Sequence, residues 1–200
     1  MNKSNVLKKL IVVACIGMAT LVVSCGGGLD FGTNPVKTVT VKMKGDFDVV
    51  KVGLWGSVSG NVFASANCVD GSFVIELPAQ VDGRLLLDPQ MEFYGLDVSD
   101  KKARIRNVQI MGFKTGSPEG SPIRVTSSHI GLAHAGAELY YVDRDVTITG
   151  SATAYGRTVV YEQCDLKKGW NFIYHYSDNN PDDMVTTYTV SNPGRLKWGL

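Results

Sequence analysis

Alternation of apolar and polar residues at period two, interrupted at short intervals by turn signals, is the feature that most constrains what this chain can fold into. Val39, Val41 and Met43 alternate with Thr38, Thr40 and Lys42. Val50, Val52 and Leu54 alternate with Lys51 and Gly53, and Val62, Ala64, Ala66 and Cys68 share one face. Asp70-Gly71 then offers the positive φ of a two-residue hairpin turn, Phe73, Ile75 and Leu77 resume the pattern, and Pro78 ends it. The second half repeats this style. Residues 103–113 are strand-like, with a phase change near Asn107 that reads as a bulge. Tyr140, Val142, Val146 and Ile148 fall on one face, as do Val160, Cys164 and Leu166 on the next run. Lys168-Gly169 turns into Trp170, Phe172, Tyr174 and Tyr176, whose opposite face carries Asn171, Ile173 and His175. Only residues 129–138 offer helix, and their glycines limit it to a turn or two. Many short strands with turns between them predict an all-β fold, an antiparallel β-sandwich. The pattern weakens over residues 89–100, which marks a seam if the body is two β subdomains in tandem.

The first residues follow different rules. Residues 1–9 hold Lys3, Lys8 and Lys9 and no acid, and residues 10–23 form a largely apolar run of 14. That is a secretory signal; a membrane span needs about 20 apolar residues. Gly26-Gly27-Gly28 directly after it disfavours continued helix. Val22-Val23-Ser24-Cys25 resembles the lipobox of bacterial lipoproteins. The resemblance implies acyl chains on Cys25 and cleavage before it, so that residues 1–24 are a signal peptide, residues 25–36 a lipidated Gly-rich tether, and residues 37–200 the β body. Two or more acyl chains, at ~0.8 kcal/mol per buried CH₂, hold a protein on a bilayer stably.

Loss of residues 1–24 removes three lysines from a chain of net charge +1, leaving net −2. That balance predicts no nucleic-acid partner and no polybasic membrane patch. Of the four cysteines, Cys15 leaves with the signal and Cys25 takes lipid. Cys68 and Cys164 remain, and an exported compartment permits a disulfide between them, although two buried thiols fit equally.

The segment 38–87, with its VxVxMKG opening and DGSFVIELP hairpin, resembles transthyretin-like and carboxypeptidase-regulatory-like β modules. Residues 140–200, with YYVDRDVTITG, LKKGWNFIY and GRLKWGL, resemble small lipoproteins of Bacteroidetes-type bacteria. This second resemblance implies a lipid-anchored envelope protein, most naturally in the outer membrane, and brings no site residues with it. The tether has only Asp30 where that group's surface-export signal is a run of acids, so the periplasmic face and the cell surface both stay open.

Motifs for chemistry are sparse. Ser99-Asp100-Lys101-Lys102, Ser177-Asp178-Asn179 and Lys114-Thr115-Gly116 match serine β-lactamase elements, but in the wrong order and with no helix to set Lys102 beside Ser99. His129 and His134 are five apart and cannot share a helix face. Asp178, Asn180 and Asp182 alternate like the opening of a Ca²⁺ loop. Asp183 stands where glycine is needed, however, and Thr189 where a bidentate glutamate is needed, so a solvated acidic loop is preferred and no cofactor is expected. Asp143 and Asp145 read as a solvated face interrupted by Arg144. The aromatic stripe of residues 170–176 reads as core, which leaves Tyr155, beside Gly156 in a turn, as the candidate exposed aromatic for a sugar ring. The expected function is a non-catalytic binding or structural role, with an envelope protein or a glycan as partner; a hydrolase of unrecognised type ranks last.

Overall fold

The computed structural model describes residues 34–42, 49–56, 62–114, 123–129, 135–154, 156–177, 184–192 and 196–199. Cys25, Tyr155, Asp178, Asn180 and Asp182 lie outside them. In chain order the strands are β1 (Thr38–Lys42), β2 (Val49–Gly56), β3 (Val62–Asn67), β4 (Ser72–Glu76), β5 (Asp97–Val98), β6 (Ile105–Lys114) and β7 (Ile123–His129). They continue with β8 (Gly136–Val142), β9 (Val146–Ala154), β10 (Arg157–Leu166), β11 (Gly169–Ser177), β12 (Met184–Thr189) and β13 (Leu196–Gly199). One short helix, α1 (Pro89–Glu92), precedes β5. The large sheet runs β13-β7-β6-β8-β11-β12-β10-β9-β5, and β2 also pairs β6 and carries β3 on its far side. β1 and β4 form a second, two-stranded sheet.

The fold is all-β and sandwich-like, as the alternation predicts, but the large sheet is mixed. Hairpin-connected β10 and β11 do not pair. Instead β12 lies between them, antiparallel to β11 and therefore parallel to β10. The turn at Asp70-Gly71 has φ of 49° and 68°, the double positive φ of a tight hairpin turn. It carries the chain from β3 in the large sheet to β4 in the small one.

The central strands β6, β8 and β11 of the large sheet are buried on both faces, which the sequence reading did not foresee. On β8, Leu139 and Tyr141 point into one core, while Tyr140 and Val142 point into another. On β11, Trp170, Phe172 and Tyr174 enter the first core, and Ile173 enters the second. The β1–β4 sheet closes the first core with Val39, Val41, Phe73 and Ile75. The second is closed by β9 and β10 (Ile148, Leu166) and by Phe93 and Leu96, which follow α1. The aromatic stripe is therefore core as expected, but its opposite face is not the polar exterior. Ile173 and Asn171 are both fully buried.

This two-sided burial explains several departures. The phase change near Asn107 is no bulge: β6 holds an unbroken register with β8 from Ile105 to Val108. Ile105 faces the second core, whereas Val108 and Ile110 face the first. A real shift occurs on β10 between Tyr161 and Cys164, where Gln163 has a φ of 38°. It turns both Tyr161 and Cys164 inward, although three residues apart would place them on opposite faces, and it leaves Val160 half-buried. Of the segment 129–138 read as helical, His129 closes β7 and Gly136–Glu138 open β8, while residues 130–134 lie outside the described residues. Pairing of β8 with β6 and β11 on its two edges outweighs local propensity. Residues 89–100, where the strand pattern weakens, are ordered. They hold α1 and β5 and bury Phe93, Leu96 and Val98.

Cys68 and Cys164 are both free thiols. Cys68 packs at the margin of the first core and Cys164 lies within the second, so the body of the large sheet stands between them and no bridge forms.

Candidate functional site

Beneath α1 the second core gathers polar side chains. Asp88 caps the helix by accepting from the Gln90 N–H at 2.9 Å, and Pro89 takes its first turn. Phe93, just past the helix, sits 5.7 Å from the Tyr140 ring and 5.4 Å from the Tyr161 ring, edge-on to the latter. Tyr161 stacks on Tyr188 at 4.4 Å with planes 1° apart, and His175 lies 5.6 Å from Tyr188. The Tyr140 hydroxyl donates to Glu138 Oε2 at 2.7 Å, and Asn107 Nδ2 donates to the same oxygen at 3.4 Å. Both partners stand on the β6–β8 ladder, which pairs Asn107 with Tyr140.

The electrostatics assign these phenols as donors. Burial, reinforced by Glu138, raises Tyr140 well above its ordinary value. Burial also raises Tyr161, and pushes Tyr188 up to about 12 with help from Glu138. All three stay protonated at neutral pH, so they can hold a carboxylate or another acceptor but do not supply a phenolate. Glu92 on α1 is raised by burial and by Glu138, against the lowering influence of Arg106.

Above this network, α1 and the turn after it present Met91 and Tyr94 to solvent, with Tyr94 86% exposed. The turn is fixed from below by buried Pro89, Phe93 and Leu96 and by the Leu96 N–H to Phe93 carbonyl bond of 3.1 Å. Tyr94 is the exposed aromatic among the described residues. A local signal for it is present in Asp88-Pro89, a cap and first-turn pair, with Gly95 at φ 79° ending the turn.

A second polar region lies where three turns meet. Asp143 accepts from the Arg104 N–H at 2.8 Å, and Asp145 accepts from the Lys168 N–H at 2.8 Å and from Lys167 Nζ at 3.1 Å. These aspartates are turn clamps rather than a bare solvated face. The Lys168 N–H and the Lys167 side chain hold the Asp145 carboxyl below its usual range. For Asp143, burial acts upward but Arg144 and Arg104 outweigh it, and the net shift is downward. Ser99 accepts from the Thr147 N–H at 2.9 Å and lies on no helix, so nothing sets Lys102 to activate it. A cleft of about 250 Å³ opens here among Ser99, Asp145, Thr147, Asp165 and Lys167. Among the described residues no group of three or more His, Cys, Asp or Glu side chains is placed to hold a metal ion.

Glu92 gives a pH signature. A carboxyl whose folded pKa is raised binds more protons in the native state, so stability is lost as pH rises above the unfolded value of ~4.3. Glu92→Gln is therefore expected to raise the melting temperature at pH 7 more than at pH 4; an equal effect at both would contradict a raised Glu92.

Comparison with protein-family models, with curated proteins and with solved structures finds no match for this chain.

Proposed function

We propose that this chain is a lipid-anchored envelope lipoprotein, held on the outer membrane through Cys25, whose β body binds a partner without catalysing a reaction. The observation that carries the reading is Val22-Val23-Ser24-Cys25 at the end of an apolar run too short to span a bilayer, followed at once by three glycines. The side chains gathered in the second core are engaged with one another. Their phenols are held protonated, and the Glu138 carboxylate is already engaged by Tyr140 and Asn107. Expressed in a Gram-negative host, the protein should take up labelled fatty acid and enter the detergent phase on Triton X-114 partitioning. Cys25→Ala should abolish the label and move the protein to the aqueous phase. Detergent partitioning of the variant without label would sink the reading.

A glycan is a second reading of the partner, and Tyr94 is the observation that favours it. Its ring stands clear of the surface on a turn fixed from below that also exposes Met91. An exposed aromatic face on a fixed turn is what a pyranose ring stacks on. Affinity electrophoresis through gels containing xylan, laminarin, pullulan or mucin should retard the wild-type protein in at least one, and Tyr94→Ala should migrate freely there. Unretarded wild-type protein in all four would remove this reading.

A further inference from the structure

Cations are concentrated at one end of the body. The turns at residues 99–104, 143–145 and 167–169 are bound to one another through Asp143 to the Arg104 N–H, Arg144 to Asp100 at 3.5 Å, and Asp145 to the Lys168 N–H. Six basic residues ride on them. Arg104 is held by Asp88 at 3.6 Å, Arg144 by Asp143 at 3.2 Å as well as by Asp100, and Lys167 by Asp145 at 3.1 Å. Lys101, Lys102 and Lys168 are exposed and have no ion-pair partner among the described residues. Asp165 in the adjoining cleft is engaged by the Thr147 hydroxyl at 2.6 Å.

The chain joins the body at this same end. Asn34 brackets Phe172, accepting from its N–H at 3.0 Å and donating to its carbonyl at 3.3 Å. The Val36 N–H donates to the Trp170 carbonyl at 2.6 Å. Pro35 Cβ lies 3.5 Å from where a side chain on Gly169 would begin, beside Lys168. Nine chain steps lead from Cys25 to Asn34, and an extended chain covers at most ~3.6 Å per step, so Cys25 stays within roughly 32 Å of this point.

We propose that this end is the face the body turns to the bilayer, with the ammonium groups of Lys101, Lys102 and Lys168 on the phosphates of anionic lipid headgroups. The proposal rests on the lipid-anchor reading above. The anchor confines the body near the surface; six basic residues against Asp88, Asp100, Asp143, Asp145 and Asp165 leave this end one positive charge in excess, and the three lysines outside the ion pairs are the ones free to reach a headgroup. Basic residues are drawn to an anionic surface only within a Debye length, ~8 Å at physiological salt. A net positive count over the whole body is not required, because only charges at that distance act. The opposite end, with the Asp70-Gly71 turn and exposed Val69, then points away from the membrane and toward partners.

Amine footprinting of the lipidated protein tests this without a substitution. The protein is bound to phosphatidylglycerol-rich or to pure phosphatidylcholine vesicles, acetylated briefly, and read lysine by lysine by mass spectrometry. Lys51 is the reference. It is exposed on β2 and paired with Asn67, near the far turn. Acetylation of Lys101, Lys102 and Lys168 should fall about fivefold on the anionic vesicles and recover in roughly 0.5 M NaCl, while Lys51 stays constant. No difference among the four lysines, or protection of Lys51 instead, would overturn the proposed orientation. Intact mass of the same sample separates the two claims. Acyl chains on Cys25 without lysine protection refute the orientation alone, and an unmodified Cys25 refutes the anchor and the orientation together.

Discussion

Burial of β11 on both of its faces is the constraint on which the rest of the structure depends. Phe172 and Ile173 are consecutive, point in opposite directions, and are both fully buried in different cores. Each such side chain is worth about 1.5–3 kcal/mol when fully removed from water. A strand buried twice cannot carry a polar face, and β11 meets this limit with Asn171. Its Oδ1 accepts from the Lys167 N–H at 3.0 Å, and its Nδ2 donates to the carbonyls of Lys167 and Gly169 at 2.7 and 3.0 Å. The one fully buried amide on the strand thus fastens the β10–β11 turn, with a net contribution of ~1 kcal/mol for each bond.

The two cores differ in chemistry because they are closed differently. The first is capped by the β1–β4 sheet and is dominated by aliphatic and aromatic contacts, with Trp170 Nε1 donating to the Pro78 carbonyl at 2.8 Å to join the layers. The second is closed by β9, β10 and one helical turn, and it takes in Glu138, Asn107 and three tyrosine hydroxyls. The helical turn and the residues after it also carry Met91 and Tyr94 outward. The fixed turn that presents Tyr94 is therefore a consequence of how the second core is sealed. Phe93 must point down between Tyr140 and Tyr161, which leaves its neighbour pointing up.

The all-β class was legible in the sequence, because period-two alternation reports strands regardless of how they pair. The tight turn at Asp70-Gly71 and the burial of Trp170, Phe172 and Tyr174 were legible for the same local reasons, but not that the turn joins strands of different sheets. Two-sided burial was not. Alternation with Asn171 and His175 on the other face looks the same whether that face meets water or a second core satisfied by hydrogen bonds. The phase change at Asn107 misleads in the same way, since a strand that passes from one core to the other mimics a bulge. The true irregularity at Gln163 carries no glycine to announce it. Tyr94 lay in a segment where the strand pattern faded, and there only the Asp-Pro cap signal could have indicated an ordered turn. Pairing partners were beyond reach as well, because placing β12 between β10 and β11 depends on long-range contacts with no local signature.

If β11 is the shared wall of both cores, its backbone should open only when the whole body does. Native-state hydrogen exchange measures this directly. The amides of Phe172, Ile173 and Tyr174 should be among the slowest in the chain, with an opening free energy equal to that of global unfolding and a matching dependence on denaturant. Exchange of these amides as fast as those of the outer strand β3, or through a sub-global opening that leaves β1 and β4 protected, would contradict a body organised around that strand.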